Sequence, residues 1–407
     1  MLKNKRITLI VSGGIAAYKS CIAARLLMKA GADVHVVLTE NAARFVTPLT
    51  FEALTGHSVL VSEWAGERME EGGVMPHIAL ARSADLILVM PATANLIAKT
   101  ANGIADDLAS TLLCARRAPL VIVPAMNEAM WQAPATQRNV KLLQSDGALL
   151  LGPVPGLQAC GDTGPGRMME PEEVVDILLG FFAPKVLSGK RVLVTAGPTF
   201  EAIDPVRGLT NRSSGRQGFA IARAARDAGA QVTLVAGPVS FATPAGVERI
   251  DVVSARDMDA SVQNALDTAP FDLFIGVAAV ADWRPTQVMD KKLKKEASEP
   301  NALECLTWIE NPDILARVCA RQNAPLAMGF AAETEEANGE ALTALARGKC
   351  LRKGAYAIVG NDARVALGSA DNVIHIVTAS SEERFGPASK MACAQFIIDF
   401  AARKLAH

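Results

Sequence analysis

The chain has 407 residues, of which half are hydrophobic and a fifth are charged, and its formal net charge is −1. This length exceeds the core of one ordinary domain and predicts two. The near-neutral charge disfavours a broad electrostatic contact with nucleic acid, and the sequence has no uninterrupted apolar run of membrane-spanning length.

The cysteines, histidines and N-terminus predict a cytoplasmic protein without a structural metal. Seven cysteines are scattered without a CxxC pair, which is typical of reduced thiols. None of the five histidines has a partner at zinc-ligand spacing, so the identity of any metal ligand stays unknown. The first six residues lead into a strand without the apolar segment of a secretory signal.

The first half of the chain alternates short apolar runs with helical stretches, which is typical of a doubly wound parallel sheet. A helix is predicted over 15–30 and ends at Gly31. The runs are continuous rather than alternating, which indicates strands buried on both faces. They lie at 7–11, 34–38, 86–90, 120–123 and 148–151.

The same rhythm restarts after a predicted linker at 185–190, so the boundary is placed near Ser188. Domains are predicted at 1–187 and 188–407, both α/β and Rossmann-like, with three layers each. The last helix is predicted at 388–405. Strands of the second half are predicted at 191–195, 232–235, 273–277, 326–330, 357–359 and 373–377.

A small-residue turn, SGGIAAYK, separates the first predicted strand from its helix. Such a turn lets a phosphate approach the backbone N–H groups at a helix N-terminus. It lacks the third glycine of the dinucleotide motif GxGxxG, although Glu40 lies near the end of the second strand. The turn therefore favours a mononucleotide, with a nicotinamide oxidoreductase left as an alternative.

Three further candidates lie between predicted strands. His77 follows Pro76, and Asn127 comes directly after the fourth strand, where its amide can bind a carboxylate. Cys160 stands in a polar, glycine-rich segment, 158–168, that is typical of a lid and offers a thiol as proton donor or nucleophile. In the second half, the charged run 290–296 is interpreted either as a solvated loop or as a lysine loop that closes over phosphates.

Together these motifs identify a family resemblance over essentially the whole chain. The sequence resembles the bacterial bifunctional phosphopantothenoylcysteine decarboxylase/phosphopantothenate–cysteine ligase. The ordered segments that carry the resemblance are SGGIAAYK, PATANLIA, PAMNEAM, ACGDTGPGRM, TAGPT, NRSSG, AAVADW, NPDI and GFAAET.

The resemblance implies a flavodoxin-like N-terminal domain that binds FMN and decarboxylates phosphopantothenoylcysteine. His77, Asn127 and Cys160 match the family's active-site histidine, carboxylate-binding asparagine and proton-donating thiol. The flavin removes electrons from the substrate thiol and later returns them, so net redox is zero. FMN contacts are carried over to Gly14, Ile15, Ala16, Thr39, Ala92, Thr93 and Asn95.

The C-terminal domain resembles the ligase, in which CTP with Mg²⁺ activates 4'-phosphopantothenate as an acyl-cytidylate and cysteine displaces the nucleotide. Asn211 matches the catalytic asparagine and Lys292 the mobile-loop lysine. Nucleotide contacts are carried over to Ser213, Ser214, Gly215, Ala278, Ala279, Asp282, Lys292, Asn311, Pro312, Asp313, Ile314, Phe330, Lys349 and Lys353.

The resemblance also implies a homo-oligomer, a dodecamer built from N-terminal trimers and C-terminal dimers, with small-molecule substrates and no nucleic-acid or membrane partner. Departures from the family pattern are Pro76, Asp106, Arg216 and Trp283, and none removes a catalytic group. Two alternatives remain open. One is a decarboxylase with an inactive ligase domain, and the other is a non-enzymatic, flavin-binding regulatory subunit.

Overall fold

The computed structural model of the chain describes residues 2–62, 75–159, 161–292, 306–333, 339–362 and 371–406. The chain divides into two compact units, Met1–Phe182 and Ala183–His407. Within the described ranges, no helix is long and apolar enough to cross a membrane.

The first unit is built on a parallel five-stranded sheet in the order β2-β1-β3-β4-β5. A separate antiparallel hairpin, β6–β7, follows the sheet. The strands are β1 Arg6–Val11, β2 Asp33–Leu38, β3 Leu86–Ala92, β4 Leu120–Pro124, β5 Leu149–Leu150, β6 Val154–Leu157 and β7 Thr163–Arg167. The helices are α1 Ala17–Lys29, α2 Glu40–Ala43, α3 Pro48–Thr55, α4 Pro76–Ser83, α5 Ala94–Ala101, α6 Leu108–Ala115, α7 Glu128–Gln132, α8 Pro134–Ser145 and α9 Pro171–Phe181.

Alternate side chains of a strand point to opposite faces of a sheet, and β1 shows both faces buried. Leu9 belongs to the apolar cluster that contains Leu27 of α1. Ile10 belongs to the cluster on the other face, which contains Leu112 of α6. The predicted three-layer α/β fold is therefore confirmed.

The second unit contains an eight-stranded sheet in the order β12-β11-β8-β13-β16-β17-β18-β19. It is parallel as far as β17, whereas β18 and β19 pair antiparallel. Its strands are β8 Arg191–Ala196, β9 Phe200–Ala202, β10 Gly208–Thr210, β11 Gln231–Ala236, β12 Glu248–Asp251, β13 Leu273–Gly276, β14 Trp283–Pro285, β15 Trp308–Glu310, β16 Leu326–Glu333, β17 Ala357–Asp362, β18 Asp371–Thr378 and β19 Glu382–Ser389. Its helices are α10 Arg216–Asp227, α11 Ala255–Thr268, α12 Ile314–Cys319, α13 Gly339–Lys353 and α14 Lys390–Leu405.

Three local predictions need correction. The strand predicted at 148–151 covers only β5, Leu149–Leu150. The segment predicted as a long lid, 158–168, contains the second strand of a hairpin, β7, over Thr163–Arg167. The predicted linker at 185–190 is packed against the second unit, because Leu187 is fully buried and its N–H donates to the Ala228 carbonyl at 2.8 Å.

A buried hydroxyl at the end of the first strand holds the neighbouring strand's loop in each unit. Ser12 Oγ donates to the Pro91 carbonyl at 2.7 Å and accepts from the Thr93 N–H at 2.9 Å. In the second unit, Thr195 Oγ1 accepts from the N–H groups of Val277 and Ala278 at 3.2 and 3.3 Å. These two hydroxyls fix the loops at the carboxyl edge of each sheet.

Replacing Ser12 by alanine removes both bonds and leaves the partly buried Thr93 N–H without its acceptor, whereas the Pro91 carbonyl still accepts from the Ser12 N–H at 3.2 Å. We expect Ser12→Ala to lower the free energy of unfolding by about 1–3 kcal/mol. Thr50→Ala, an exposed hydroxyl deletion in α3, should cost less than about 0.5 kcal/mol. Urea-induced unfolding of the two variants measures the difference, and equal losses would contradict the role assigned to Ser12.

Candidate active sites

The turn between β1 and α1 offers backbone donors that the protein does not use. Ala16 precedes α1 without a side-chain cap. Among the described residues, nothing accepts from the N–H groups of Gly14, Ile15 or Ala16. Lys19, the basic residue of the SGGIAAYK segment, forms an ion pair with Glu170 at 2.9 Å. The turn is therefore an anion cradle made of backbone N–H groups and a helix N-terminus.

Two small residues shape this cradle. A Cβ on Gly13 would lie 2.4 Å from Asn41 Cβ, so the turn packs too closely against α2 for any side chain. Thr39, directly after β2, caps α2 by accepting from the Ala42 N–H at 3.1 Å, and its own N–H donates to the Val11 carbonyl at 3.0 Å. Thr39 therefore ties the end of β2 to the end of β1.

The third strand end completes the same edge. Ala92 is buried at the end of β3, and Thr93 caps α5 by accepting from the Leu96 N–H at 3.4 Å. Asn95 is exposed in the first turn of α5. Because β1, β2 and β3 are adjacent and parallel, all the predicted FMN residues lie along one carboxyl edge of the sheet.

Asn127 is linked directly to the loop of the β6–β7 hairpin. Its side-chain oxygen caps α7 by accepting from the Ala129 N–H at 2.9 Å. Its amide nitrogen donates to Asp162 Oδ2 at 2.7 Å and to Gln158 Oε1 at 3.3 Å. Cys160 itself lies outside the described residues, but the residues two positions before and after it both contact Asn127.

Close backbone packing holds this hairpin against α7. A Cβ on Gly164 would lie 2.2 Å from the Glu128 carboxylate, and one on Gly166 would lie 2.4 Å from the Met126 carbonyl oxygen. The Met126 N–H donates to the Gly166 carbonyl at 3.0 Å. Gly166 is therefore explained by its close approach to the Met126 backbone and Gly161 by its left-handed φ of 92°, whereas the sequence suggested a lid.

His77 lies in the first turn of α4, which precedes β3. A helix that returns the chain between parallel strands begins near their carboxyl edge, so this turn lies on the side of the flavin residues. No hydrogen bond joins His77 to Asn127 or to the 158–162 loop in the part of the chain that is described.

Asp106, which departs from the family pattern, is explained by its contact with Lys99. Lys99 Nζ contacts Asp106 Oδ1 at 2.6 Å and Asp107 Oδ2 at 2.7 Å. The hydrogen bonds that Lys99 donates to both carboxylates raise the pKa of its ammonium group. Asp107 also caps α6 through Ser110. The acidic pair is therefore a structural clamp on α5 and α6.

The second unit contains a cavity of about 1510 Å³ at the carboxyl edge of its parallel strands. Asn211 lines it. So do all the predicted nucleotide residues except Lys292, namely Ser213, Ser214, Gly215, Ala278, Ala279, Asp282, Asn311, Pro312, Asp313, Ile314, Phe330, Lys349 and Lys353. Lys292 is an exposed residue at the edge of a described range. The fold thus gathers residues spread over 140 positions of sequence.

One end of the cavity is suited to phosphates. α10 begins after Gly215, which adopts a left-handed φ of 78° and provides no side-chain cap. A Cβ there would lie 3.0 Å from a Val239 methyl and 3.2 Å from the Gly197 Cα. Cationic side chains that line the cavity are Arg212, Arg216, Lys349, Lys353 and Lys390.

The other end is organised by polar contacts among the lining residues. Asn211 Nδ2 donates to the Ala279 carbonyl at 2.9 Å, and Asn311 Nδ2 donates to the Ala281 carbonyl at 2.8 Å. Asp313 caps α12 and forms an ion pair with Lys353 at 2.9 Å. These side chains therefore hold the cavity wall, whichever of them also contacts a ligand.

Sequence reasoning missed Lys390, the first residue of α14. Burial, followed by the positive charge of Arg216, lowers the pKa of its ammonium group. A lysine in the first turn of a helix is unfavourable because its charge opposes the helix dipole. A lysine at the start of the last predicted helix was therefore the feature of the sequence that could have identified Lys390. Asn361 and Asn372 also line the cavity and are buried, but β17 and β18 must first be paired before they come together.

Comparison with protein families assigns each half separately. Residues 1–183 match the family model described as Flavoprotein. Residues 187–405 match the model described as DNA/pantothenate metabolism flavoprotein C-terminal domain. Among solved structures, the chain resembles the C-terminal domain of the coenzyme A biosynthesis bifunctional protein CoaBC, at 33% identity over 55% of this chain and 98% of that one, with a TM-score of 0.46. It also resembles the FMN-dependent cysteine decarboxylase SpaF, at 35% identity over 43% of this chain and 95% of that one, with a TM-score of 0.38.

Full-length relatives carry the same two halves. The coenzyme A biosynthesis bifunctional protein CoaBC of Vibrio cholerae is 46% identical over 401 residues, 98% of each chain. The protein of the same name from Escherichia coli K12 is 43% identical over 98% of this chain and 97% of its own. That from Bacillus subtilis is 43% identical over 94% and 93%. The chain therefore belongs to the CoaBC family of bifunctional coenzyme A biosynthesis enzymes, which combine a flavoprotein decarboxylase with a ligase.

Proposed function

We propose that residues 188–407 join cysteine to 4'-phosphopantothenate through an acyl-cytidylate formed from CTP. Residues 1–187 then decarboxylate 4'-phosphopantothenoylcysteine to 4'-phosphopantetheine with FMN. The observation that carries this proposal is that the two units have different binding features. One has a turn with open backbone N–H groups, in which Lys19 is paired with Glu170, and an Asn127-linked loop; the other has a large cavity lined by five cationic side chains.

In the first unit, the N–H groups of Gly14, Ile15 and Ala16 would hold the single phosphate of FMN. A monophosphate at a helix N-terminus needs few additional charges, which fits the engagement of Lys19 with Glu170. Thr39, Ala92, Thr93 and Asn95 line the same edge and would surround the rest of the cofactor. When bound, the flavin accepts an electron pair from the substrate and returns it, which allows carbon dioxide to leave.

Asn127 and Cys160 would act on the substrate. The Asn127 amide donates to Asp162 and Gln158 in the protein alone, and a substrate carboxylate would replace one of these acceptors. The contact of Asn127 that remains would keep the loop that carries Cys160 close to the substrate. The thiol of Cys160 would then deliver a proton to the carbon that loses carbon dioxide. His77 is proposed as a further polar side chain of the decarboxylase site, at the carboxyl edge of the first sheet.

In the second unit, the open N-terminus of α10 with Ser213, Ser214 and Gly215 would hold the triphosphate. Arg216 and Lys390 would neutralise part of its charge, and phosphate binding would offset their mutual repulsion. A magnesium ion would accompany the triphosphate, since the cavity also presents the carboxylates of Asp282 and Glu310. Asn211 would steady the acyl intermediate, and Lys292 would reach the site from its exposed segment.

Exposed apolar side chains support the proposed self-association of each unit. In the first unit, Tyr18 is 54% and Phe45 52% exposed. In the second, the β14–β15 hairpin exposes Trp283, Trp308 and Ile309 by 43–48%. Surfaces that another chain covers contain contiguous exposed apolar groups, and these side chains are candidates for such surfaces. These faces are consistent with a dodecamer of N-terminal trimers and C-terminal dimers.

The function is tested first with the intact chain supplied with 4'-phosphopantothenate, cysteine and CTP. We expect 4'-phosphopantetheine, carbon dioxide and pyrophosphate in equal amounts. Separate pieces cut at the unit boundary then test the division of chemistry. Residues 1–182 should be yellow and decarboxylate supplied phosphopantothenoylcysteine, whereas residues 183–407 should be colourless and consume CTP only with phosphopantothenate. Flavin that purifies with the second piece would contradict the assignment.

Cys160→Ser tests the proton donor. A serine hydroxyl is a far weaker acid than a thiol, so we expect carbon dioxide to be released once per site and turnover then to stop. The visible flavin absorbance should stay bleached after mixing with substrate, and Cys114→Ser, an exposed thiol in α6, should turn over normally. Multiple turnovers by the Cys160 variant would refute the role.

Lys292→Gln tests the ligase loop, with the neighbouring Lys291→Gln as the matched control. A lysine that neutralises charge at the reacting phosphoryl or acyl centre is worth about 10²–10³ in rate. We expect that loss in CTP-dependent amide formation for Lys292→Gln, and less than a threefold change for Lys291→Gln. Decarboxylation by both variants should match the parent chain. Equal losses in the two variants would show a general loop charge effect instead.

A further inference from the structure

A cluster of three side chains lies at the edge strand of the first sheet, at the end opposite the proposed flavin site. β2 is the terminal strand of that sheet, and Asp33 and His35 lie at its amino end. His57 approaches them from the segment after α3. Thr39, at the flavin edge, is six residues along from Asp33, or about 20 Å at the rise of a strand.

The two imidazoles converge on one carboxylate. His57 Nε2 lies 2.8 Å from Asp33 Oδ1, and His35 Nε2 lies 3.1 Å from Asp33 Oδ2. The rings are stacked, with centroids 4.2 Å apart and planes at 17°. The three ligand atoms all lie within 4.8 Å of one another. Two histidine nitrogens and a carboxylate oxygen at this separation are a donor set that zinc uses when a fourth position stays open.

The backbone holds both sides of the cluster in place. β2 pairs with β1 in register at His35 and Thr8, and Val37 forms a parallel bridge with Leu60 beyond His57. Gly56 takes a left-handed φ of 75° after α3, and the His57 N–H donates to Thr55 Oγ1 at 3.3 Å. The ligands therefore lie on ordered segments of the chain.

We propose that Asp33, His35 and His57 form a binding site for a transition-metal dication of the zinc type. The metal takes the Nε2 atoms and one Asp33 oxygen, and any Nε2 proton is released to solvent. The fourth position faces water, because His57 and Asp33 are 40% and 39% exposed. The bound ion joins the segment after α3 to the amino end of β2, next to the stretch where Leu60 already pairs with this edge strand.

One neighbour opposes the ion and provides a sharp test. Arg6 Nε donates to Asp33 Oδ2 at 3.1 Å, so its positive charge lies next to the proposed metal. Removing that charge frees one carboxylate oxygen and removes a repulsion. Arg6→Gln should therefore tighten zinc binding by about tenfold.

The experiment titrates the chelator-treated full chain with Zn²⁺ by calorimetry and repeats the titration with Co²⁺ by absorption spectroscopy. We expect one ion per chain, with affinity reduced about a hundredfold or more in His35→Gln and in His57→Gln. His77→Gln is the matched histidine control and should bind Zn²⁺ as the parent does. Zn²⁺ should raise the thermal midpoint of the parent but not that of His57→Gln.

Three outcomes would overturn the proposal. One is unchanged affinity in the His35 and His57 variants. Another is a cobalt spectrum with thiolate charge-transfer bands, because these would place the ion on cysteines. The third is the absence of binding at millimolar Zn²⁺ by a parent chain whose circular dichroism shows it to be folded. None of these outcomes depends on either enzymatic activity, so the site is tested apart from the proposed function.

Discussion

Both units depend on one constraint, which is that backbone groups at the carboxyl edge of a parallel sheet must find partners where the strands stop. Ser12 and Thr195 meet this need in the same way, since each is a buried hydroxyl at the end of the first strand that bonds the loop of the neighbouring strand. A buried N–H or carbonyl without a partner costs as much as a lost hydrogen bond. Once the loops are fixed, the N–H groups of Gly14, Ile15 and Ala16 remain without an acceptor among the described residues.

The two edges share this plan but differ in charge. The first leaves the N–H groups of Gly14, Ile15 and Ala16 open while Lys19 is engaged by Glu170. The second surrounds an uncapped helix N-terminus with cationic side chains, among them Arg216 and Lys390. A triphosphate carries more negative charge than a single phosphate. The edge proposed to hold the triphosphate is the one whose cavity is lined by five cationic side chains.

The far edge of the first sheet shows a different use of polar groups. At the end of β2 opposite Thr39, Asp33 gathers His35, His57 and Arg6, although no reaction is proposed there. An edge strand presents unpaired backbone groups that can pair with other chains. A polar cluster that fastens the following segment to that strand limits such pairing, and metal binding would reinforce it.

The sequence by itself determined the α/β class, the two-unit order and the glycine turns, because continuous apolar runs and small residues at strand ends are local signals. Through the family resemblance it also marked Asn211 and the predicted nucleotide residues other than Lys292, all of which line the cavity of the second unit. Tertiary structure alone decided which loop is a hairpin, since the close approach of Gly164 to Glu128 and of Gly166 to Met126 cannot be read from a glycine-rich segment. The same holds for Leu187, which lies in a polar segment yet is buried. Likewise, Asp33, His35 and His57 have no zinc-like spacing, because their meeting depends on the turn after α3 bringing residue 57 back beside β2.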